Sequence, residues 1–172
     1  MSAMERSHQS LSLRQATVAD VAHVAEWFAN SEAVRLWGGP VIRYPLLLDT
    51  LIDDIDFLAQ PSYALASRME GLVAFGQIRP RSDFFHLARL AVAPLLRGRG
   101  LGKTLILALM QRYPEAPGFS LYVYRRNLAA FRCYSALGFE PTADPEGAKP
   151  GEDCEFMVYR GPRQWRRTEP RR

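Results

Sequence analysis

Apolar residues recur along this chain at two spacings, one of strands and one of helices. Leu11 and Leu13 alternate with Ser12 and Arg14, so the chain is predicted to open on a strand. Thr17-Val18-Ala19-Asp20 is a helix-start signal, after which Val21, Val24, Ala25 and Phe28 share one helical face. Residues 30–40 follow neither period, close on Trp37-Gly38-Gly39-Pro40, and read as loop-rich. A second helix is predicted from Tyr44 or Pro45 to Leu58, with Leu48, Leu51, Ile52 and Ile55 inward. Strands at 63–67 and 72–79 flank a hairpin turn at Met69-Glu70-Gly71. A fourth strand at 86–93 stops at Pro94, a helix follows over 100–113, a fifth strand spans 119–124 and a last helix 127–137. Short strands at 139–141 and 155–160 close the sheet around an exposed hairpin loop, 144–153, rich in Pro, Gly and charge. The order is β-α-α-β-β-β-α-β-α-β-β, an α/β (α+β) chain with a mixed central sheet. The fourth and fifth strands are parallel because a helix crosses between them.

The junction between the fourth strand and its helix carries the chemistry. Arg97-Gly98-Arg99-Gly100-Leu101-Gly102 places three glycines at alternate positions, so several backbone N–H groups are free to point at one anion. The helix behind adds its unpaired amino-terminal donors and the positive end of its dipole. The nucleotide P-loop does not fit: Gly102-Lys103-Thr104 supplies its second half, but the first glycine falls on Arg97. The dinucleotide fingerprint fails as well, because the spacing is Gly-x-Gly-x-Gly and the loop lies past mid-chain. The pattern Arg/Gln-x-x-Gly-x-Gly/Ala after a strand is met at every position.

That last pattern resembles the coenzyme A pyrophosphate loop of the GNAT superfamily of N-acetyltransferases. A second stretch, 127–139, is similar to the superfamily's Asn-x-x-Ala-x-x-x-Tyr-x-x-x-Gly-Phe signature. Asn127 is a good N-cap there, Tyr134 lies two turns along the same helix face, and Gly138 suits a left-handed C-terminal cap. The resemblance covers roughly 11–159 and is sharply diagnostic at 87–104 and 119–139. It implies a GNAT-like sheet whose parallel fourth and fifth strands splay apart. It also implies acetyl-CoA as cosubstrate and an amine acceptor, a small molecule or a protein amino group, that attacks the thioester directly in a ternary complex. The coenzyme arm is expected on the backbone of Leu90, Ala91 and Val92. The pyrophosphate is expected on Arg97, Gly98, Arg99, Gly100, Leu101, Gly102 and Lys103, with Asn127 orienting the arm or a bridging water. Tyr134 is the expected general acid. The region 30–44 would overhang the acetyl site, with Glu32 attracting a cationic amine and Trp37 and Tyr44 as flat walls. Some relatives carry a glutamate five residues before the asparagine; here that position is Tyr122. Glu32, Glu70, Asp83 and His86 are the alternatives, and the base is left unassigned. A non-catalytic acyl-coenzyme A sensor is the competing reading, favoured by the missing glutamate and opposed by Asn127 with Tyr134.

Bulk properties narrow the rest. A chain of 172 residues is expected to form one domain, 11–160, between a polar leader, 1–10, and a basic tail, 161–172. The net charge is +4, yet Arg160–Arg172 alone holds six arginines and one glutamate, so the body is nearly neutral. The tail is expected to be a solvated end, with nucleic acid not a partner. No apolar run nears the ~20 residues of a membrane span and no signal-peptide core follows Met1, so a cytoplasmic protein is expected. Cys133 and Cys154 are isolated and the three histidines lack ligand spacing, so no metal is expected. A homodimer is left open.

Overall fold

The computed structural model describes residues 10–147 and 151–161. The expected leader and tail lie outside the described residues apart from Ser10 and Gly161. Seven strands form one sheet: β1 (Leu11–Gln15), β2 (Ser62–Ser67), β3 (Gly71–Arg81), β4 (Phe84–Val92), β5 (Phe119–Tyr124), β6 (Glu140–Thr142) and β7 (Cys154–Tyr159). Their spatial order is β1-β2-β3-β4-β5-β7-β6. Every neighbouring pair is antiparallel except β4 with β5, as the crossover between them requires.

Five helices accompany the sheet: α1 (Val18–Ala25), α2 (Ser31–Gly38), α3 (Leu48–Asp54), α4 (Leu101–Arg112) and α5 (Leu128–Ala136). The fold class is the expected one, with one element more than the pattern suggested. Residues 31–38, read as loop-rich, are helical, because the Asn30 side chain caps them by accepting from the Ala33 N–H at 2.9 Å. The Gly38-Gly39 pair ends this helix rather than preventing it, Gly39 taking φ 80. The expected 45–58 helix is shorter, stopping at Asp54 before Asp56 turns left-handed at φ 50.

Each face of the sheet has its own core. On one, Leu105, Ile106 and Leu109 of α4 bury against Tyr63, Leu65, Val73, Ile78 and Leu87. On the other, Val21 and Val24 of α1 meet Leu51 of α3 and Ile55 just past its end over Phe75, with Val34 of α2 alongside. Each fully buried aliphatic side chain contributes about 1.5–3 kcal/mol. The two layers clamp the middle strands and leave the carboxyl ends of β4 and β5 as the place where the sheet opens. Among the described residues, no helix is long and apolar enough to cross a membrane.

Candidate active site

The opening begins at a bulge. Phe75 pairs with Ala91 and Gln77 with Ala88, so Gly76 of β3 faces two residues of β4, Arg89 and Leu90. Arg89 takes φ 51, a left-handed conformation unusual outside glycine. Gly76 gives Leu90 its room: a Cβ there would sit 2.8 Å from Leu90 Cδ2 and 3.1 Å from Leu109 Cδ1. The parallel register joins Phe85–Leu87 to Phe119–Leu121, whereas β4 runs on to Val92 and β5 to Tyr124. Past that register the two strands part.

A cavity of about 580 Å³ lies in the gap. Its wall brings together Leu90, Ala91 and Val92 from β4 with Arg97, Gly98, Gly100, Leu101, Gly102 and Lys103 from the glycine loop and the start of α4. Asn127 and Tyr134 reach it from α5. Arg99 is not on this wall and pairs instead with Glu70 at 3.3 Å. The loop suits an anion on two counts. Gly98 and Gly100 take φ 77 and 79, and a Cβ at either would meet nothing within 4 Å, so open space stands over the bare backbone. No side chain caps α4, which leaves its first N–H groups facing the same space.

At the other end, Asn127 accepts from the Ala130 N–H at 3.3 Å, capping α5 while lining the cavity. Gly138, at φ 95, closes this helix. Tyr134 is half-buried in the wall, and burial pushes its phenol well above the ordinary value, so it is protonated across the neutral range. Of the expected acceptor residues, Trp37 lines the cavity, stacked on Phe28 with ring centroids 4.5 Å apart. Glu32 and Tyr44 line neither this cavity nor the adjoining one. Glu32 pairs with Arg126 at 2.8 Å, and the exposed Tyr44 donates its hydroxyl to the Ala29 carbonyl at 3.4 Å.

An adjoining cavity of about 380 Å³ shares Trp37, Leu87, Arg89 and Tyr122 with the first and continues past Arg79, Arg81, His86 and Glu146. Behind it lies a network that sequence reasoning missed. Tyr122 donates its hydroxyl to Asp144, and Arg81 donates to both oxygens of that carboxylate at 2.9 Å. Arg81 also stands 3.1 Å from Glu146. Burial alone would raise the Asp144 pKa, but Arg81 and Tyr122 outweigh it and hold the carboxyl down to about 2. His86 bonds Ser120 Oγ through Nδ1 at 3.0 Å, and burial together with the Arg81 charge lowers it to about 3. Of the other suggested bases, Glu70 holds Arg99 and Asp83 is exposed in the turn between β3 and β4, and neither lines either of these two cavities.

A cleft between parting parallel strands, floored by a glycine loop and an uncapped helix, is matched by one family model over residues 23–139, that of the Acetyltransferase (GNAT) family. The chain belongs to this family. Among curated proteins, the aminoglycoside N(6')-acetyltransferase type 1 of Klebsiella pneumoniae is 29% identical over 158 residues, spanning 81% of this chain and 78% of that protein. Its namesake from Serratia marcescens matches equally. Among solved structures, AAC(6')-Ib in complex with ribostamycin and coenzyme A superposes with a TM-score of 0.67 at 24% identity, covering 94% of this chain and 98% of that one. The PaiA N-acetyltransferase of Thermoplasma acidophilum in complex with coenzyme A gives 0.65 at 18% identity over 88% and 99%. As a GNAT member the protein is an N-acetyltransferase dependent on acetyl-CoA. The open glycine cradle and uncapped α4 fit the coenzyme's diphosphate. Among the described residues, no three His, Cys, Asp or Glu side chains gather where a metal ion could be held.

Proposed function

We propose that the protein transfers the acetyl group to a primary amine by direct attack in a ternary complex, with Tyr134 as general acid. One observation carries this reading: the phenol of Tyr134 and the glycine loop line a single cavity at the point where β4 and β5 separate. Acetyl-CoA supplies the thioester. The backbone of Leu90–Val92 would hold its arm, and the N–H groups of 98–103 its diphosphate, with Arg97 and Lys103 adding charge. A β4 N–H beside the thioester oxygen would stabilise the charge that grows there.

The amine nitrogen forms a bond to the acetyl carbon while the carbon–sulfur bond breaks. Tyr134 donates a hydrogen bond to the departing sulfur, and the proton that the acetylated nitrogen sheds passes through water to complete the thiol. With ordinary values near ~10 for a phenol and ~8.5 for a thiol, and burial raising the phenol further, complete transfer is uphill. A hydrogen bond that tightens in the transition state is therefore the fitting description.

Neither of the two candidate bases held beside the adjoining cavity is matched to neutral pH. Asp144, at about 2, and His86, at about 3, are both weak bases. Glu146, the carboxylate on that wall among the described residues, is paired with Arg81. The amine then enters neutral or loses its proton to solvent, and kcat/KM rises with pH in step with the acceptor's own amine pKa. Thiol release from acetyl-CoA across a panel of primary amines tests the reading: release must require an acceptor and fall in Tyr134→Phe. Release independent of any amine, or undiminished in the variant, refutes it.

A further inference from the structure

The acceptor-side cavity has an unusual charge balance. Three arginines stand on its wall, Arg79, Arg81 and Arg89. Arg81 is neutralised by Asp144 and Glu146. Arg79 and Arg89 form no ion pair among the described residues.

Arg89 is held in place as if for a ligand. It occupies the left-handed bulge position, at a cost that glycine would avoid. Its Nη1 donates to Gln77 Oε1 at 3.1 Å and its Nη2 to the Asp54 carbonyl at 3.4 Å, both neutral acceptors. Gln77 is itself buried and fixed, donating to Ser62 Oγ at 2.8 Å and the Ile55 carbonyl at 3.0 Å. Asp54 and Asp56 lie near enough to favour the Arg89 charge but bond other groups, Asp54 pairing with Arg43 at 2.7 Å and Asp56 accepting from Gln60 at 3.0 Å. Two buried donors, Arg89 Nε and Trp37 Nε1, have no hydrogen-bond partner, and both side chains line both cavities. Burial and the neighbouring Arg79 weigh against the charged form of Arg89, a penalty that an arriving anion would relieve.

We propose that the acceptor is a primary amine that also carries a carboxylate, recognised by Arg89 and Arg79 with the Trp37 indole N–H beside them. This rests on the acetyl-transfer reading above and names its substrate class. The chemistry agrees with the lack of a base, because fixed positive charge in the pocket lowers the pKa of an ammonium and favours the neutral nucleophile. A polycationic sugar such as an aminoglycoside would meet two unpaired arginines and be disfavoured.

The test compares kcat/KM for a dipeptide with a free carboxyl terminus and for the same dipeptide as its terminal amide, with an aminoglycoside as third acceptor. The acid should exceed the amide by about 10- to 100-fold, mostly through KM, as expected of a charge-assisted contact. Arg89→Gln should erase most of that ratio, and the exposed Arg79→Gln part of it. Arg89→Gly gives a second variant: relief of the left-handed backbone offsets part of the loss of the bonds to Gln77 and the Asp54 carbonyl, so acetyl-CoA binding should persist while the preference disappears. The proposal is overturned if the amide matches the acid, if the aminoglycoside outruns both, or if the ratio survives both substitutions. Transfer without an anion preference defeats this inference alone. No transfer to any amine, with coenzyme still bound, defeats the acetyl-transfer reading and this one with it.

Discussion

In the proposed reaction, Tyr134 is where a single atom has most to do. Tyr134→Phe keeps the ring that packs near Phe139 and removes only the proton donor. Turnover should fall by about 10²- to 10⁴-fold, with coenzyme affinity within a factor of two by calorimetry. A structural tyrosine would instead show unchanged turnover or lost stability. Asn127→Ala removes the cap on α5 and a polar atom from the cavity wall together. It should cost about 1 kcal/mol in urea unfolding and weaken acetyl-CoA binding as well. Asn127→Ser, which keeps a capping oxygen, should restore the stability but not the affinity. That Tyr134 and Asn127 share one cavity wall was legible in the sequence, because both lie on one helix at a short fixed spacing. The Tyr122–Asp144–Arg81 network was not, because Asp144 lies 22 residues from Tyr122 and 63 from Arg81. No local pattern announces such a meeting.

Among the elements, the bulge in β4 and the loop before α4 shape the cleft. Gly76→Ala drives a methyl into Leu90 and Leu109. It should destabilise by about 1–3 kcal/mol and, by shifting Leu90 on the strand proposed to hold the coenzyme arm, weaken acetyl-CoA binding. Gly100→Ala meets no atom but must adopt φ 79, which costs about 1–2 kcal/mol. The glycine loop could be read from sequence because alternate glycines declare a backbone that must bend and stay bare. The bulge was hidden for the converse reason: its left-handed residue is Arg89, where pattern reading looks for glycine. Helix α2 was missed because Gly38-Gly39-Pro40 signals a break, and the break is at the helix's end. The Asn30 cap and Glu32 in the first turn were the available signs of its start. Charge around the adjoining cavity could not be read locally either, since Glu32 pairs with Arg126 while Arg79 and Arg89 are brought there from β3 and β4.

The molecule as a whole should be most stable above pH 6.5 on account of its buried titrating groups. His86 has an ordinary value of 6.5 when unfolded and about 3 when folded. Between those values the unfolded chain binds a proton that the folded chain does not, so stability falls as pH is lowered from 6.5 towards 3. Asp144 and Asp20, each lowered from 3.8 to about 2, add a second loss as pH falls from about 4 to 2. For Asp20, burial opposes the shift and the bonds from Arg14 and Thr17 outweigh it. Urea unfolding at pH 7.5, 5 and 3 should show midpoints dropping stepwise, and His86→Gln should flatten the first step. A midpoint unchanged from pH 7.5 to 5 would contradict the assignment of a neutral His86.

The proposed chemistry depends on bare backbone in the cleft holding a diphosphate, and one titration tests that directly. Acetyl-CoA injected into the purified protein in a calorimeter should give saturable one-to-one binding, weakened about 100-fold or more in Gly102→Glu, where a carboxylate meets the phosphates. Absence of binding heat, or equal affinity in the variant, would contradict the account.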